Sequence, residues 1–308
     1  MKKFKKFVLF INPKARNGTS IRELEFVGNL FRDNNIEHVI ETSKYLEHAR
    51  ELLLDDRYKD YNFLIIGGDG TINNFIQNWH LLDNRILGII PVGSGNDFSK
   101  NLNYTKNLKN DIQKLIRSIN LESITEINTG EVKIWEQGRD EPRTFQFINS
   151  LGIGFDAKVA FLNNTQKVLP GILNYILSVL KAVKSLNSFN ASLKIDNKQF
   201  DSNAILITVG NGKTSGGGFY LTPKAQIDDD LFDFTIINPV SKLRLLKELP
   251  KALINTLEKV PEVSFYTGKN LELILDKSVY IHADGEILSD KCVKLGVAIN
   301  KKKIKVYN

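Results

Sequence analysis

The stretch that decides the fold is NFLIIGGDGTINNFIQNW, residues 62–79. It consists of an apolar strand, a glycine turn that contains Asp69, and the beginning of a helix. Glycines let a ligand approach the backbone closely and a helix N-terminus attracts anions, so such a turn is typical of a phosphate site. A carboxylate repels phosphate, however. Asp69 therefore indicates a divalent cation beside the phosphate, or a brace for the amides of another loop, or simple turn capping.

On both sides of this stretch, residues 1–125 alternate short apolar strands with amphipathic helices. This alternation predicts a doubly wound, three-layer α/β domain around a parallel sheet. Two further turns rich in glycine and asparagine follow strands, INPKARNG at 11–18 and PVGSGNDF at 91–98. Because the carboxyl ends of parallel strands gather at one edge of a sheet, the three turns together predict a phosphate or nucleotide site there.

Residues 126–308 follow a different pattern, in which turns separate short strands and two helices interrupt them near 172–187 and 241–257. This pattern predicts a second domain, a mainly antiparallel β-sandwich. The closing segment KKIKVYN, at 302–308, is a candidate strand that returns to the first domain.

The formal net charge of +7 suits nucleic acid, an anionic membrane surface or phosphorylated ligands, and is equally compatible with a solvated basic surface. No pattern typical of RNA or DNA binding occurs, so no nucleic-acid partner is expected. The one cysteine, Cys292, cannot form an intramolecular disulfide. No apolar run reaches the roughly 18 residues of a membrane span. We therefore expect a cytoplasmic protein.

Four motifs occur in this order: GGDGTINN (67–74), PVGSGNDF (91–98), FINSLGIGFDA (147–157) and HADGE (282–286). Together they resemble the diacylglycerol kinase catalytic family, and more narrowly the bacterial lipid kinases related to sphingosine and ceramide kinases. The resemblance extends over nearly the whole chain. GGDGT alone also occurs in NAD kinases, whereas GSGNDF after the fourth strand and the late DGE favour a lipid kinase.

The resemblance implies that ATP and Mg²⁺ bind to the first domain and that a lipid supplies the acceptor hydroxyl. By motif match, the nucleotide would contact Asn12, Pro13, Lys14, Ala15, Arg16, Thr42, Gly68, Asp69, Gly70, Thr71, Ile72, Asn73, Asn74 and Ser94. Asn96 and Asp97 would brace their loop or reach the magnesium ion, and Asp69 would act in catalysis through that ion.

The segment SVYIHADGEIL places Asp284 at the end of an apolar strand. The resemblance makes Asp284 the catalytic base that accepts the proton of the attacking hydroxyl. The alternative is an ordinary Asp-Gly hairpin turn. For His282, two residues before Asp284, a structural role is expected.

The segment KAQIDDDLFDFTII carries closely spaced acids, which a hard cation accepts as oxygen ligands. The resemblance implies a magnesium ion remote from the chemistry, held by Asp228, the carbonyl oxygen of Leu231, and Asp233. A solvated acidic turn is the alternative. Asp230 stands where the family usually has glycine, which counts against the metal site if the turn requires a positive φ.

The predicted function is an ATP- and Mg²⁺-dependent lipid kinase that phosphorylates a lipid hydroxyl, with diacylglycerol as the expected substrate. The helix at 172–187 either contacts the bilayer or packs on the β-domain, and transient contact with the membrane surface is expected. A homodimer through the β-domain is a further possibility. The alternatives are an NAD kinase-like or other small-molecule kinase, and a nucleotide-sensing, membrane-binding protein without turnover.

Overall fold

The computed structural model describes residues 5–13, 20–45, 47–82, 85–105, 107–166 and 172–308. The chain divides into two compact units. The first comprises the residues up to Asn128 together with Lys302–Asn308, and the second comprises Thr129–Lys301. The boundary falls after 128 rather than after 125, because the strand at 124–127 pairs with the last strand of the chain in the first sheet.

The elements are numbered in chain order. The first unit contains β1 (Lys6–Ile11), α1 (Ser20–Asp33), β2 (Glu37–Thr42), α2 (His48–Leu54), β3 (Asn62–Gly67), α3 (Asp69–Ile76), β4 (Ile86–Pro91), α4 (Asp97–Lys100), α5 (Leu108–Leu121) and β5 (Ile124–Ile127). The second unit contains β6 (Gly130–Glu136), β7 (Arg143–Phe147), β8 (Ser150–Gly154), α6 (Phe155–Thr165), α7 (Ile172–Lys184), β9 (Phe189–Ile195), β10 (Lys198–Ala204), β11 (Leu206–Gly210), β12 (Phe232–Ile237), α8 (Lys242–Leu253), β13 (Val263–Gly268), β14 (Asn270–Ala283) and β15 (Glu286–Ile299). The last strand, β16 (Ile304–Tyr307), lies in the first unit.

The first unit is built on one six-stranded sheet in the order β2-β1-β3-β4-β16-β5. The neighbours from β2 to β16 pair in parallel, and β5 runs antiparallel to β16. β1 and β3 are buried along most of their length, which explains their continuous apolar sequences.

Helices cover both faces of this sheet. Phe7 packs edge-on against Phe31 of α1, with ring centroids 5.6 Å apart. Phe10 points to the opposite face and packs against Phe75 of α3 at 5.1 Å. Because successive strand residues alternate between faces, these two contacts show that the sheet is covered on both sides. The predicted doubly wound α/β architecture is confirmed.

The second unit is an antiparallel β-sandwich, which confirms the other half of the predicted fold class. Its sheet runs β13-β12-β11-β8-β14-β15-β6-β7, with β9 beside β14 and β10 beside β9. The first part of β14 pairs with β9 and its last residues pair with β8. Register shifts between Ile274 and Val279 separate these two parts. Such irregularities bend a strand, so the long β14–β15 hairpin curves and its two parts pair with different strands of the sheet.

Helices α6, α7 and α8 pack on the face of β11 that carries Leu206. Phe155 and Val159 of α6, Val179 and Val183 of α7, and Leu245 of α8 share one apolar cluster with this strand. Only part of the aliphatic surface of α7 is packed. Leu173, Ile176 and Leu180 are exposed, with 49–53% of their surface accessible. None of the described helices combines the length and apolar composition that crossing a bilayer requires.

The state of Cys292 provides a test of the second core. The side chain is fully buried in β15, and burial raises the pKa of the thiol to about 12. Because the thiolate is the reactive form, we expect no labelling of the native protein by a thiol reagent such as DTNB, and complete labelling in denaturant. Rapid labelling of the native protein would contradict the described packing of β15.

Candidate active site

The strand order places the ends of β1, β3 and β4, where the three predicted turns begin, side by side at one edge of the sheet. The chain passes from β1 to β2 on one side of the sheet and from β3 to β4 on the other. The order therefore reverses between β1 and β3, where open α/β sheets bind ligands beyond their carboxyl ends. Asn12 follows β1, and its amide nitrogen lies 3.5 Å from the hydroxyl oxygen of Thr71, in the first turn of α3. The first two predicted turns thus meet at this crevice.

The turns after β3 and β4 touch backbone to backbone. A Cβ atom added to Gly93 would lie 2.5 Å from the Cα of Gly68, and one added to Gly68 would lie 2.9 Å from the Cα of Gly93. Both positions therefore require glycine for close approach, whatever their role toward a ligand.

The contacts of Asp69 show why an acidic residue lies in this glycine turn. Its Oδ1 accepts a hydrogen bond from the backbone N–H of Phe98 at 3.2 Å. Asn96 adopts a left-handed φ of 53°, and its side chain both accepts from the N–H of Gly93 (2.9 Å) and donates to the carbonyl of Gly93 (2.8 Å). Asp69 and Asn96 thus hold the turn after β4 in place, which is the bracing alternative for Asp69.

The other predicted nucleotide contacts differ in exposure. Ser94 is exposed at the tip of its turn, and Thr42 is exposed at the end of edge strand β2. Ile72 is buried in the core, so its side chain faces away from any ligand. Asp97 forms an ion pair with Lys100, with 2.6 Å between Oδ1 and Nζ.

The remaining predicted contacts fall into three groups. Pro13 is a half-buried turn residue directly after Asn12. Gly70, Asn73 and Asn74 lie in α3, directly behind Asp69. Residues 14–16 lie outside the described part of the chain, so the predicted contacts of Lys14, Ala15 and Arg16 stay predictions.

In the second unit, Asp284 and Gly285 form the two-residue tip of the β14–β15 hairpin. Both have positive φ, 51° and 86°, as a type I′ turn requires. The Asp284 carboxylate accepts three hydrogen bonds, from the backbone N–H groups of Ile148, Asn149 and Ser150, at 2.9–3.0 Å. The hairpin alternative for Asp284 is therefore correct as a description of its backbone. The side chain is in addition a fixed, buried negative charge, which the three donors stabilise.

Beside this tip, His282 pairs with Asp156, which gives His282 the structural role that was expected for it; the pairing with Asp156 was not predicted. His282 Nδ1 accepts from the N–H of Gly285 at 3.2 Å, and Nε2 lies 3.3 Å from Oδ2 of Asp156. These partners imply the neutral Nε2–H tautomer, which donates to Asp156. A Cβ on Gly152 would overlap both side chains, so this glycine makes room for the pair. The alternating glycines of LGIGFD, residues 151–156, were the available sequence signal.

An apolar cavity of about 100 Å³ lies in the second unit. Its walls come from the helices and from β11, and include Val159, Tyr175, Val179, Leu206, Leu249 and Leu257. Its polar lining includes Asp156, Ser215, His282 and Gly285, so this end of the cavity lies next to Asp284.

The loop at 211–219 connects the cavity to Asp284. The side-chain amide of Asn149 donates to the carbonyl of Thr214 (2.8 Å), and the Ser150 hydroxyl donates to the Ser215 hydroxyl (3.1 Å). Gly216, Gly217 and Gly218 of this loop all have positive φ, a conformation that glycine adopts without steric cost. Two of the three residues that hold Asp284 through their backbone, Asn149 and Ser150, thus also hold the cavity loop through their side chains.

In the acidic loop at 228–233, Asp230 has a left-handed φ of 62°. Asp tolerates this region better than most residues, so the turn is compatible with the substitution of the family's glycine. Desolvation, together with the nearby charge of Asp229, raises the pKa of Asp233 to about 6. Within the described ranges, no three acidic, histidine or cysteine side chains form a metal-binding group. The ligand set of Asp228, Leu231 and Asp233 stays a prediction.

We expect Gly93→Ala to separate the two turns, because its new Cβ would overlap the backbone of Gly68. Overpacking of this kind costs about 1–3 kcal/mol, and the displaced turn should weaken ATP binding about 10-fold or more. The measurement is ATP affinity by calorimetry. The matched control is Gly28→Ala in α1, whose Cβ would meet only ordinary contacts at 3.6 Å and beyond. Equal ATP affinity of the two variants would contradict the role of the Gly68–Gly93 contact.

We expect Asp233→Asn to stabilise the protein at pH 7 in divalent-free buffer. The folded-state pKa of about 6 lies above the unfolded value of 3.8. The native state therefore binds the proton more tightly, and wild-type stability falls as pH rises from about 4 to about 6. The variant should lack this fall and melt about 2–4 °C higher at pH 7, as measured by calorimetry across this pH range. Parallel pH profiles would contradict the assignment.

Two family models cover most of the chain. Residues 6–132 match the diacylglycerol kinase catalytic domain. Residues 149–306, more than half of the chain, match the YegS C-terminal NAD kinase beta sandwich-like domain.

Individual proteins agree with these models. The chain is 24% identical to the Bacillus subtilis (strain 168) protein named "Putative lipid kinase YtlR", over 96% of this chain and 97% of that one. A solved structure titled "Crystal structure of a putative diacylglycerol kinase from Bacillus anthracis str. Sterne" matches with a TM-score of 0.78 and 20% identity, over 100% of this chain and 97% of that one. An Archaeoglobus fulgidus NAD kinase in complex with ATP matches with a TM-score of 0.54 and 12% identity, over 98% and 93%, which shows a shared fold. The chain belongs to the YegS-like family of diacylglycerol kinase-type lipid kinases.

Proposed function

We propose that the protein transfers the γ-phosphate of ATP to the hydroxyl of a lipid, with diacylglycerol as the first candidate. The observation that carries this proposal is the apolar cavity of the second unit, whose polar end lies beside Asp284. The apolar lining of the cavity suits hydrocarbon chains, and its polar end suits one hydroxyl-bearing head.

The first unit would hold the nucleotide. The crevice between β1 and β3, the glycine contact between the turns, and the N-terminus of α3 suit the phosphates of ATP. ATP use follows from the kinase family. Asp69 and Asp97 supply the neighbouring carboxylates that would hold Mg²⁺ through water, and the ion would neutralise charge that develops on the phosphate oxygens.

Asp284 would orient the acceptor hydroxyl and take its proton. As the hydroxyl oxygen bonds to the γ-phosphorus, the bond to the β–γ bridging oxygen breaks, ADP leaves, and the proton passes to the carboxylate. A carboxylate with three amide donors is a weak base, but the loose transition state of phosphoryl transfer demands mainly positioning. The amides, together with the His282–Gly285 hydrogen bond, supply that positioning.

The cavity also favours a lipid over a dinucleotide as the acceptor. NAD carries two phosphates and two riboses, whereas the walls of the cavity are side chains such as Val179, Leu206 and Leu249. Each methylene buried there contributes about 0.8 kcal/mol. For acceptors dispersed as monomers, KM should therefore fall as the acyl chains lengthen.

We expect Asp284→Asn to lower label transfer from γ-labelled ATP into the organic phase by about 10²–10⁴-fold, because it removes the proton acceptor. The acceptor panel should include diacylglycerol, ceramide, phosphatidylglycerol and NAD.

The control is Asp196→Asn. Asp196 has a positive φ and accepts from the backbone N–H groups of Lys269 and Asn270, so the substitution changes a carboxylate with backbone amide donors at another, exposed turn. It should keep near-normal turnover. Equal activity of the two variants would rule out Asp284 as the base. ATP binding without transfer to any acceptor would support the alternative of a nucleotide sensor.

A further inference from the structure

Two neighbouring helices of the second unit carry exposed aliphatic side chains at helical spacing. On α7 these are Leu173, Ile176 and Leu180, and on α8 they are Leu243, Leu246 and Leu253, followed by Ile254. The helices contact each other, and the Lys242 side chain at the start of α8 donates to the carbonyl of Lys184 at the end of α7 (2.6 Å). We call these seven side chains the two-helix face. Single exposed aliphatic residues are ordinary, but a group of this size indicates an interaction surface.

Other residues of the same two helices line the apolar cavity. Tyr175 and Val179 of α7 lie in its wall, as do Leu245, Leu249 and Ala252 of α8. The same two helices therefore supply both wall residues of the cavity and the exposed two-helix face.

The charges on the two helices favour an anionic partner, although Arg244 pairs with Glu262 and Lys251 pairs with Glu248. Together α7 and α8 carry six basic residues and one acidic residue: Lys181, Lys184, Lys242, Arg244, Lys247, Lys251 and Glu248. Lys184, Lys242 and Lys247 are exposed beside the aliphatic residues. Aliphatic residues flanked by lysines are typical of helices that lie in the interface of an anionic bilayer. A second copy fits less well, because a symmetric dimer would place two basic surfaces against each other.

We propose that the two-helix face docks the protein on an anionic bilayer and that the lipid acceptor enters the cavity past α7 and α8. This rests on the proposed lipid kinase function and adds to it the surface through which the substrate is collected.

The binding test uses sedimentation with vesicles of phosphatidylcholine alone or with added phosphatidylserine, which is anionic and not an acceptor in the panel. The wild type should bind the anionic vesicles and be released by salt. Ile176→Glu with Leu253→Glu should lose binding by about 10-fold or more. The matched control is Ile274→Glu, which changes an equally exposed residue (57%) on β14 and should bind normally.

A second variant changes only exposed charges, Lys184→Glu with Lys247→Glu, so that a folding defect of the first does not decide the outcome. It should also lose binding. Normal vesicle binding by both variants would overturn the proposal. It would also be overturned if light scattering showed that the variants change a dimer into monomers while vesicle binding is unchanged.

The kinetic test compares diacylglycerol in vesicles with a short-chain diacylglycerol dispersed as monomers. Both docking variants should lose the vesicle rate and keep the monomer rate. Equal loss of both rates would place the defect in the cavity or fold and overturn the docking role. If the wild type phosphorylates neither acceptor while still binding vesicles, the proposed function fails and the docking surface stands.

Discussion

Three consecutive backbone amides, at 148–150, donate hydrogen bonds to the carboxylate of Asp284, and the candidate site of the second unit is organised around this contact. Hydrogen bonds to a charged group contribute about 1.5–3 kcal/mol each. The Asp284 N–H also donates to the carbonyl of Ser150, so backbone and side chain both fasten the hairpin tip to the start of β8. From there, Asn149 and Ser150 hold the loop that lines the cavity. These three hydrogen bonds thus position the Asp284 carboxylate, the hairpin tip and the loop that lines the cavity.

The first unit uses the same device on a smaller scale. Asp69 follows β3 and accepts the N–H of Phe98, which follows β4. In both units an acid next to a strand end therefore holds the loop of another strand through its backbone amides. Such contacts fix a site before the ligand arrives, so little reorganisation is needed when charge develops on the phosphate. An acid in a glycine turn, which is unexpected beside phosphate, has a structural reason in this arrangement.

Sequence reasoning predicted those parts of the fold that depend on local pattern. The continuous apolar runs of β1 and β3 indicated a parallel sheet, and the rhythm after residue 126 indicated antiparallel strands. It located Asp69 from its place in a glycine turn after a strand, and Asp284 from the resemblance to the lipid kinase family. Whether these residues bind nucleotide or accept a proton is a matter of chemistry that the fold alone does not decide.

The parts that it missed depend on long-range contacts. The Gly68–Gly93 contact joins two turns, and the His282–Asp156 pair joins positions 126 residues apart, so no local pattern marks either one. The α7 helix was ambiguous because both of its sides are aliphatic. Only its packing shows that Val179 and Val183 face inward while Ile176 and Leu180 face solvent.

The central claim is a division of labour, in which the first unit binds the nucleotide and the second binds the lipid. Amide hydrogen exchange, measured separately with a non-hydrolysable ATP analogue and with a short-chain diacylglycerol, tests it most directly. The analogue should slow exchange in the turns at 68–72 and 93–98, and the lipid should slow exchange in α7, α8 and the loop at 211–219. Protection of the cavity segments by the analogue, or of no segment of the second unit by the lipid, would contradict the account.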